Sequence, residues 1–363
     1  MKKIIFIHLL NDYSGSPKVL SQVISSCKNE GFGVALYTGK NSEGFLSNIT
    51  KNHYLYFYKR FENKYFTLFS FMFSQLLLFF KLLKYHNKDV VFYVNTMLPF
   101  GAGLAGKLLG KPVFYHVHET SIKPKMLKRF LRFIAQITAT KIIFVSKFLK
   151  EAEPFENIAQ KVVYNALPDG FSKKALNSQY QSIDNNANFN VLMICSLKTY
   201  KGIFEFLEIA NICENNPNIK FTLILNAEKR EIKDCFSTIS ISSNLTIVDK
   251  QTDLHPYYKK ASLVLNLSRI NQCVETFGLT ILEAMAFGVS VIAPPVGGPA
   301  EIVIDGVNGY LISSYEIDRI ANKIIELSED VGKCLELSEN ARIRSKDFDE
   351  KTFNKKILIL LNE

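Results

Sequence analysis

Strand-like and helix-like segments alternate from the first residues onward, and this alternation limits the folds that the chain can adopt. Short runs of Ile, Val, Phe and Tyr alternate with longer segments of helical periodicity. Strands that alternate with helices pair in parallel, because each helix returns the chain to the same end of the sheet. We therefore predict a parallel α/β fold. Its first-half strands are residues 4–9, 33–37, 90–94, 112–117, 142–145 and 161–164, with helices at 18–29 and 65–85.

A second alternation of the same kind begins near residue 190, after a polar stretch. Residues 169–189 are rich in Asn, Ser and Gln and hold few apolar anchors, which is typical of a linker. We therefore predict two α/β domains, 1–168 and 190–345, followed by a C-terminal helical segment, 346–363. The predicted elements of the second domain are residues 190–195, 203–215, 220–226, 245–248, 257–260, 263–267, 279–287, 290–293 and 309–312.

Composition indicates a folded protein of a reducing compartment. The chain has 363 residues, of which 47% are hydrophobic and 21% charged, and this length is ample for two cores. The six cysteines form no Cys-x-x-Cys pair, so neither a zinc site nor a disulfide framework is indicated and a cytoplasmic location fits. The apolar run at the start is short and lacks a small-residue cleavage site. We interpret it as the first buried strand and not as a signal peptide.

The segment Glu275-Thr-Phe-Gly-Leu-Thr-Ile-Leu-Glu283 carries the strongest functional signal. Gly278 permits a tight turn, and a short helix is predicted from Leu279 onward. The start of such a helix presents N–H groups that suit a phosphate, while Glu283 can accept hydrogen bonds from paired hydroxyls. A sugar nucleotide offers both groups. The alternative is a pair of capping glutamates on a solvated helix, but the apolar residues between them favour a partly buried segment.

This string resembles the E-x7-E signature of the retaining glycosyltransferases of family 4, which have the GT-B fold. The strings Val296-Gly-Gly-Pro-Ala-Glu301 and Asp305-Gly-Val-Asn-Gly309 also match that family's pattern. The resemblance implies an α/β protein with two Rossmann-like parallel-sheet domains that face each other across a cleft. It implies an acceptor-side N-terminal domain, a C-terminal domain that binds a nucleotide sugar, and a segment 346–363 that packs back on the N-terminal domain. Neither a cofactor nor a metal ion is implied.

The resemblance also assigns roles within the C-terminal domain. Glu275 would bind hydroxyls of the donor sugar, and Glu283 those of the ribose. Lys201 would bind the diphosphate and steady the leaving nucleotide; a Lys-Gly pair alone is more typical of a surface turn, and the glutamate motif favours the binding role. The family often has Gly-Arg-Leu before this lysine, whereas this chain has Cys-Ser196-Leu, which leaves Lys198 as the candidate second cation. The amides that would meet the developing negative charge are those of Phe277, Gly278, Leu279 and Thr280.

Three positions of the N-terminal domain match the family more loosely. Gly15 and Ser16 lie between a strand and a helix, where the family usually has a glycine pair close to the diphosphate. No dinucleotide fingerprint is present, which argues against a dehydrogenase. His118 would contact the donor sugar; a structural histidine is the alternative, and a metal ligand would need a third partner that the sequence does not supply. Asn165 corresponds to the family's Asn-Gly hinge segment, with Ala166 in place of the glycine.

The net charge of +10 calls for an acidic partner or surface. Residues 122–150 hold eight basic residues and no acid, with Phe and Ile between them, which is typical of a surface that binds anionic lipid. No nucleic-acid recognition motif is present. Residues 65–83 are apolar for nearly a membrane-spanning length, but Gln75 and Lys81 interrupt them, so we favour an interfacial or core helix. The predicted membrane-facing residues are Lys125, Lys128, Arg129 and Arg132.

These observations together predict an enzyme. We expect a retaining, metal-independent glycosyltransferase of surface polysaccharide synthesis. It would move a hexosyl or N-acetylhexosaminyl group from a nucleotide sugar to a lipid-linked glycan. It would be cytoplasmic and peripheral on the inner face of the cytoplasmic membrane. The alternative is a catalytically silent GT-B-like carbohydrate-binding or scaffold protein, which the departure at Ser196 suggests. The pair Asp347-Phe-Asp349 resembles a metal-binding D-x-D motif, but its charged context predicts a solvated helix start.

Overall fold

The structure is a computed structural model that describes residues 2–40, 43–183 and 188–363. It divides into two compact units. The first comprises Met1–Asn165 with Lys351–Glu363, and the second comprises Ala166–Glu350. Each unit is a parallel sheet with connecting helices, so the predicted fold class of two parallel-sheet α/β domains is confirmed.

Seven parallel strands form the centre of the first unit. They are β1 (Lys3–Ile7), β2 (Gly33–Gly39), β3 (His53–Tyr56), β4 (Val90–Asn95), β5 (Val113–Val117), β6 (Lys141–Phe144) and β7 (Ala159–Val162). Their order in the sheet is β3-β2-β1-β4-β5-β6-β7. Strands β1 and β4 are buried along nearly their whole length, which explains their continuous apolar runs.

Helices connect these strands. They are α1 (Gly15–Asn29), α2 (Lys64–Leu82), α3 (Phe100–Leu108), α4 (Lys125–Thr138) and α5 (Lys147–Ala152). The sheet order reverses between β1 and β4. Ligands of open α/β sheets bind beyond the carboxyl ends of the strands at such a switch point, so the residues after β1 and β4 are the ones to examine.

Six parallel strands form the sheet of the second unit, in the order β10-β9-β8-β11-β12-β13. They are β8 (Phe189–Ser196), β9 (Ile219–Asn226), β10 (Leu245–Val248), β11 (Leu263–Leu265), β12 (Ser290–Ala293) and β13 (Gly309–Leu311). Here the switch point lies between β8 and β11. The helices are α6 (Asp169–Leu176), α7 (Ile203–Ile212), α8 (Lys229–Phe236), α9 (His255–Lys260), α10 (Leu279–Ala286), α11 (Pro299–Ile302), α12 (Ile317–Glu329) and α13 (Val331–Ser345).

The predicted linker 169–189 needs correction, because its first part is α6, which contacts α9 and α10 of the second unit. The Phe171 ring lies 5.6 Å from that of Phe287, and Ala175 is fully buried. Two inward-facing residues thus hold a helix whose other residues are mostly polar, which is why composition alone indicated a linker. Residues 184–187 of the predicted linker lie outside the described residues.

The C-terminal helix α14 (Glu350–Asn362) belongs to the first unit from Lys351 onward. Its residues Phe353, Ile357 and Leu361 are buried. The amino group of Lys2 donates to the carbonyl oxygen of Leu361 at 2.6 Å. The first unit is therefore built from two separate stretches of sequence.

Candidate active site

The loops that follow β8 and β11 bring together two charged residues of the predicted donor site. Lys201 ends a single 3₁₀ turn after β8, and Gly202 follows it with φ of 81°. A Cβ atom at Gly202 would lie 2.2 Å from the carbonyl oxygen of Leu267, so only glycine lets the two loops approach this closely. The Nζ atom of Lys201 lies 2.7 Å from Oε2 of Glu275.

Lys201 and Glu275 form an ion pair that solvent reaches only in part, since their side chains are 22% and 21% exposed. Burial alone would lower the pKa of Lys201, but the Glu275 carboxylate outweighs burial and raises it. Burial would likewise raise the pKa of Glu275, yet Lys201 and the N–H groups of Phe277 and Thr276 together lower it. Both side chains are therefore charged at neutral pH.

The loop after β12 fixes the backbone of Glu275. The N–H of Gly298 donates to the carbonyl oxygen of Glu275 at 2.9 Å. A Cβ atom at Gly298 would lie 2.2 Å from the Cα atom of Phe277, and one at Gly297 would lie 2.4 Å from the Glu275 carbonyl oxygen. The Val-Gly-Gly-Pro string therefore lets two backbone segments pack in direct contact.

Helix α10 carries the second glutamate of the motif into the interior. Glu283 is only 3% exposed and accepts a hydrogen bond from the hydroxyl of Tyr258 at 2.7 Å. The Tyr258 ring stacks against Phe287 at 5.6 Å. Glu283 thus has a structural partner in this structure, and its role toward a ribose stays a prediction.

The predicted amide donors lie at the start of α10. Phe277 is buried against the ring of Phe348, and its N–H points to the carboxylate of Glu275. Gly278 is the N-cap residue, and Leu279 and Thr280 form the first turn. The N–H of Phe277 therefore donates to Glu275 in this structure, and the role of these amides toward a developing negative charge stays a prediction.

Ser196 and Lys198 lie beside this group on the loop after β8. Ser196, the last residue of β8, is half-buried, whereas Lys198 is exposed. The N–H of Lys198 donates to the carbonyl oxygen of Ser196 at 2.7 Å. Lys198 thus stays close in sequence and in space to the turn that holds Lys201, and its role as a second cation remains a prediction.

In the first unit, a polar cluster centred on Asn95 lies at the carboxyl ends of β1, β4 and β5. The Asn95 Oδ1 atom lies 2.9 Å from Nε2 of His118, and its Nδ2 donates to the carbonyl oxygen of Ser16 at 3.2 Å. The Nδ1 atom of His8 lies 3.2 Å from the Asn95 carbonyl oxygen. Asn95 therefore joins the start of α1, where Gly15 and Ser16 lie, to His118 at the switch point of this sheet.

His116 is a structural residue. It is fully buried, and its Nδ1 atom lies 2.8 Å from the hydroxyl of Tyr93. The rings of His116 and His118 lie 4.3 Å apart, so both project from the same face of β5, as strand alternation predicts. Among the described residues, no three His, Cys, Asp or Glu side chains are grouped so that they could hold a metal ion.

Burial sets the charge states of this cluster. It lowers the pKa of His8 to about 4 and that of His116 to about 3, and it lowers the pKa of His118 well below the usual value. Burial also raises the pKa of Glu119 to about 7, although the N–H groups of Met97 and His118 oppose that shift. Such grouped shifts are typical of functional sites.

The remaining predicted residues of the first unit are Asn165 and the basic residues of α4, and they differ in burial and in partners. Asn165 is buried, and its side-chain oxygen has no hydrogen-bond partner among the described residues. On α4, Lys125 and Arg129 are exposed, but Lys128 and Arg132 both pair with Glu153, which is 2% exposed. A buried carboxylate from the neighbouring loop thus attracts both cations, and the membrane-facing placement of the four basic residues stays a prediction.

Sequence reasoning missed Asn95, His8 and Tyr258. Asn95 had a usable signal, since it is a polar residue that ends the otherwise apolar strand β4 beside a predicted switch point. His8 directly follows β1 in the same way. Tyr258 gave no signal, because its partner Glu283 comes from an element 25 residues away.

Two family sequence models match the chain. One, described as glycosyl transferases group 1, matches residues 178–344, and the other, described as glycosyltransferase family 4, matches residues 13–152. Together they cover most of both units, including the Lys201–Glu275 pair and the Asn95 cluster except His8. The chain belongs to glycosyltransferase family 4.

This family 4 glycosyltransferase has relatives over most of its length. It is 26% identical over 297 residues to the capsular polysaccharide biosynthesis glycosyltransferase CapM of Staphylococcus aureus. The aligned region covers 75% of this chain and 77% of CapM. It is 28% identical over 266 residues to an uncharacterized glycosyltransferase of Methanocaldococcus jannaschii, with 70% of each chain covered.

A solved structure similar to this glycosyltransferase is HepE of Anabaena, in complex with UDP and glucose. The two agree with a TM-score of 0.80 at 22% identity, over 99% of each chain. The likeness establishes the GT-B fold of the family 4 glycosyltransferase.

Proposed function

We propose that this glycosyltransferase moves a hexosyl or N-acetylhexosaminyl group from a nucleotide sugar to a lipid-linked glycan, with retained configuration and without a metal ion. The observation that carries the proposal is the Lys201–Glu275 pair, which sets a cation and a carboxylate 2.7 Å apart at the switch point of the second sheet. The resemblance to CapM supports a product that is a surface polysaccharide. The UDP and glucose held by HepE support a nucleotide-sugar donor.

The ion pair keeps Lys201 protonated and Glu275 ionised, which are the charge states that binding of a nucleotide sugar requires. An entering diphosphate attracts Lys201, which frees the Glu275 carboxylate to accept hydrogen bonds from sugar hydroxyls. As the bond between sugar and phosphate breaks, Lys201 neutralises the charge that builds on the departing nucleotide. Retention follows if the acceptor hydroxyl enters on the side that the nucleotide leaves.

His118 contributes a neutral contact with the donor sugar in this proposal. Its pKa is lowered well below the usual value by burial, so the ring is uncharged at neutral pH. Asn95 fixes the ring through Nε2, which orients it toward one position. His118 therefore acts through hydrogen bonding and not as a cation.

We place the enzyme at the inner face of the cytoplasmic membrane, where a lipid-linked acceptor would be available. The net charge of +10 supports attraction to an anionic lipid surface. Lys125 and Arg129 are the exposed cations of α4 that contribute to this attraction.

A donor screen followed by a transfer assay tests the chemistry. UDP- and GDP-sugars are ranked by thermal shift and then tested with vesicles that contain lipid-linked glycans, and the product linkage is read by NMR. We expect an α-linked product from an α-linked donor, with the same rate in EDTA. A β-linked product would exclude retention, and loss of rate in EDTA would exclude metal independence. Donor binding without turnover under all conditions would favour the silent carbohydrate-binding alternative.

The substitution Glu275→Gln tests the residue that carries the proposal. We expect turnover to fall by roughly a hundredfold, because the amide can neither hold Lys201 by charge nor accept as strongly from sugar hydroxyls. The matched control is Glu336→Gln, which breaks an exposed Lys–Glu pair of α13 at 2.9 Å. The control should leave turnover unchanged. Near-normal turnover of Glu275→Gln would remove the residue from the mechanism.

A further inference from the structure

Helix α2 exposes most of its aromatic residues, and its buried face combines three polar residues with Phe71, Leu78 and Leu82. Ser70, Ser74 and Gln75 are at most 3% exposed, whereas Phe66 and Phe69 are 63% and 72% exposed. A surface helix of a water-soluble protein has the opposite distribution. The outward face of α2 is therefore more apolar than a surface that contacts only water.

The inward polar residues are held by specific partners, which fixes the orientation of the helix. Gln75 Oε1 accepts from the N–H of Gly101 at 3.3 Å, and Ser70 Oγ accepts from the N–H of Lys59 at 3.0 Å. A Cβ atom at Gly101 would lie 2.2 Å from the carbonyl oxygen of Gln75, so α2 and α3 pack backbone against backbone. The helix cannot rotate to bury its outer face without breaking these contacts.

Helical spacing places the exposed phenylalanines at 66, 69, 73 and 80 on one face of α2, and two of them contact phenylalanines of the segment after β3. The ring of Phe61 lies 6.2 Å from that of Phe66, and the ring of Phe73 lies 6.1 Å from Phe57 and 6.4 Å from Phe69. Contiguous exposed apolar surface of this kind marks a binding region. We call it the aromatic face; it consists of Phe57, Phe61, Phe66, Phe69, Phe73 and Phe80.

Cations lie at both ends of α2. Lys64 stands 5.3 Å from the Tyr65 ring at one end, and Lys84 stands 4.3 Å from the Tyr54 ring at the other. Residues 51–88 hold seven basic residues and one acid, Glu62. An anionic bilayer fits this arrangement, because acyl chains would take the phenylalanines while lipid phosphates meet the lysines. A second copy of the chain would instead bring like charges together.

We propose that the aromatic face inserts into the head-group region of an anionic bilayer and is the main membrane contact of the first unit. The inference rests on the proposed function in one respect, since a lipid-linked acceptor explains why the enzyme would be held there. Residues Lys64–Tyr85 are long and apolar enough to cross a membrane. Their fixed packing on α3 makes insertion parallel to the surface the mode that preserves the fold.

The test is flotation of the full chain with vesicles of phosphatidylglycerol and phosphatidylcholine. The triple variant Phe66→Gln, Phe69→Gln, Phe80→Gln should lower the partition coefficient at least about tenfold, because it removes three inserting rings. The matched control replaces three apolar residues of the second unit that are 59%, 52% and 56% exposed, Leu176, Leu335 and Ile343, with Gln. The control should bind as the wild type does.

Three outcomes would overturn the inference. The first is unchanged vesicle binding by the triple variant while its thermal unfolding curve matches the wild type. The second is a larger loss of binding by the α4 variant Met126→Gln, Phe133→Gln, which would make α4 the main contact. The third is a dimeric wild type and a monomeric triple variant in light scattering, which would assign the aromatic face to a second copy.

Activity separates this inference from the proposed function. The triple variant should keep wild-type turnover with a water-soluble acceptor and lose turnover with an acceptor embedded in vesicles. Absence of any transfer by the wild type, together with vesicle binding that depends on the aromatic face, would remove the proposed function and leave the inference intact. If the wild type transfers sugar and the triple variant binds vesicles as strongly as the wild type, the inference is removed and the proposed function stays.

Discussion

At the scale of single residues, the surroundings of a carboxylate decide what it can do. Glu153 is 2% exposed and contacts two cations, Lys128 and Arg132, which neutralise its charge within the fold. Within the part of the chain that the structure describes, Glu275 pairs with one cation, Lys201, and keeps 21% of its side chain exposed. A diphosphate could therefore compete with Glu275 for Lys201, whereas the buried Glu153 carboxylate is not accessible to a ligand.

The buried histidines predict how stability depends on pH. The pKa of His8 is lowered from about 6.5 to about 4, mainly by burial. Below pH 6.5 the unfolded chain binds a proton that the folded chain excludes, so the free energy of unfolding should fall between pH 6.5 and 4. The opposing contribution of Glu119, whose pKa is raised to about 7 by burial, is common to wild type and variant.

Urea unfolding at pH 7.5 and pH 5 measures this effect. The variant His8→Gln should lose less stability than the wild type between the two pH values, because its side chain does not titrate. His86→Gln, at an exposed histidine, is the control and should behave as the wild type. Equal losses for His8→Gln and the wild type would contradict the assignment.

At the scale of elements, the sequence predicts the buried strands and the signature helix. It predicts neither the edge strand β3 nor which residues of different elements contact each other. Strand β12 has the predicted bounds, because it is buried at every residue and such a strand leaves a continuous apolar run. The edge strand β3 was missed because Tyr54 and Leu55 are exposed and give no alternation. Lys201 and Glu275 were both named, but their direct contact depends on the order of β8 and β11 in the sheet, which the chain sequence does not encode locally.

Close packing between the loops after β11 and β12 predicts a large effect of one methyl group. The variant Gly298→Ala places a Cβ atom 2.2 Å from the Cα atom of Phe277, and neither backbone can yield easily. We expect a loss of about 1–3 kcal/mol in the free energy of unfolding and at least a tenfold loss of turnover, because Glu275 moves with the loop. Gly170→Ala is the control, since nothing lies within 4 Å of its Cβ position. Paired melting and turnover measurements check this, and a neutral Gly298→Ala would show that the loops can separate freely.

At the scale of the whole molecule, sequence continuity and spatial units differ. The second unit is one continuous stretch, Ala166–Glu350, whereas the first needs Lys351–Glu363 from the other end of the chain. Lys141 contacts this stretch as well, donating to the carbonyl oxygen of Leu360 at 3.1 Å. The sequence predicts a C-terminal helical segment within 346–363, and the family resemblance implies that it packs on the N-terminal domain, but its periodicity alone does not show which unit it completes.

Removal of residues 351–363 should therefore destabilise the first unit selectively. The deletion uncovers the surface against which Phe353, Ile357 and Leu361 are buried. Hydrogen exchange should show lost protection in residues 2–165 and retained protection in 166–350. Deletion of Glu363 alone is the control, because its bond to Lys141 involves a half-exposed side chain and contributes little. Equal loss of protection in both units would contradict the division.

The placement of α14 has a consequence for biosynthesis. Domains fold as units while the ribosome is still elongating the chain. The β-sheet translated earliest here must wait for a helix that is translated only after the whole of Ala166–Glu350 has been synthesised. The nascent N-terminal sheet thus spends most of translation with an open flank, and that interval is when a chaperone would have the most surface to hold.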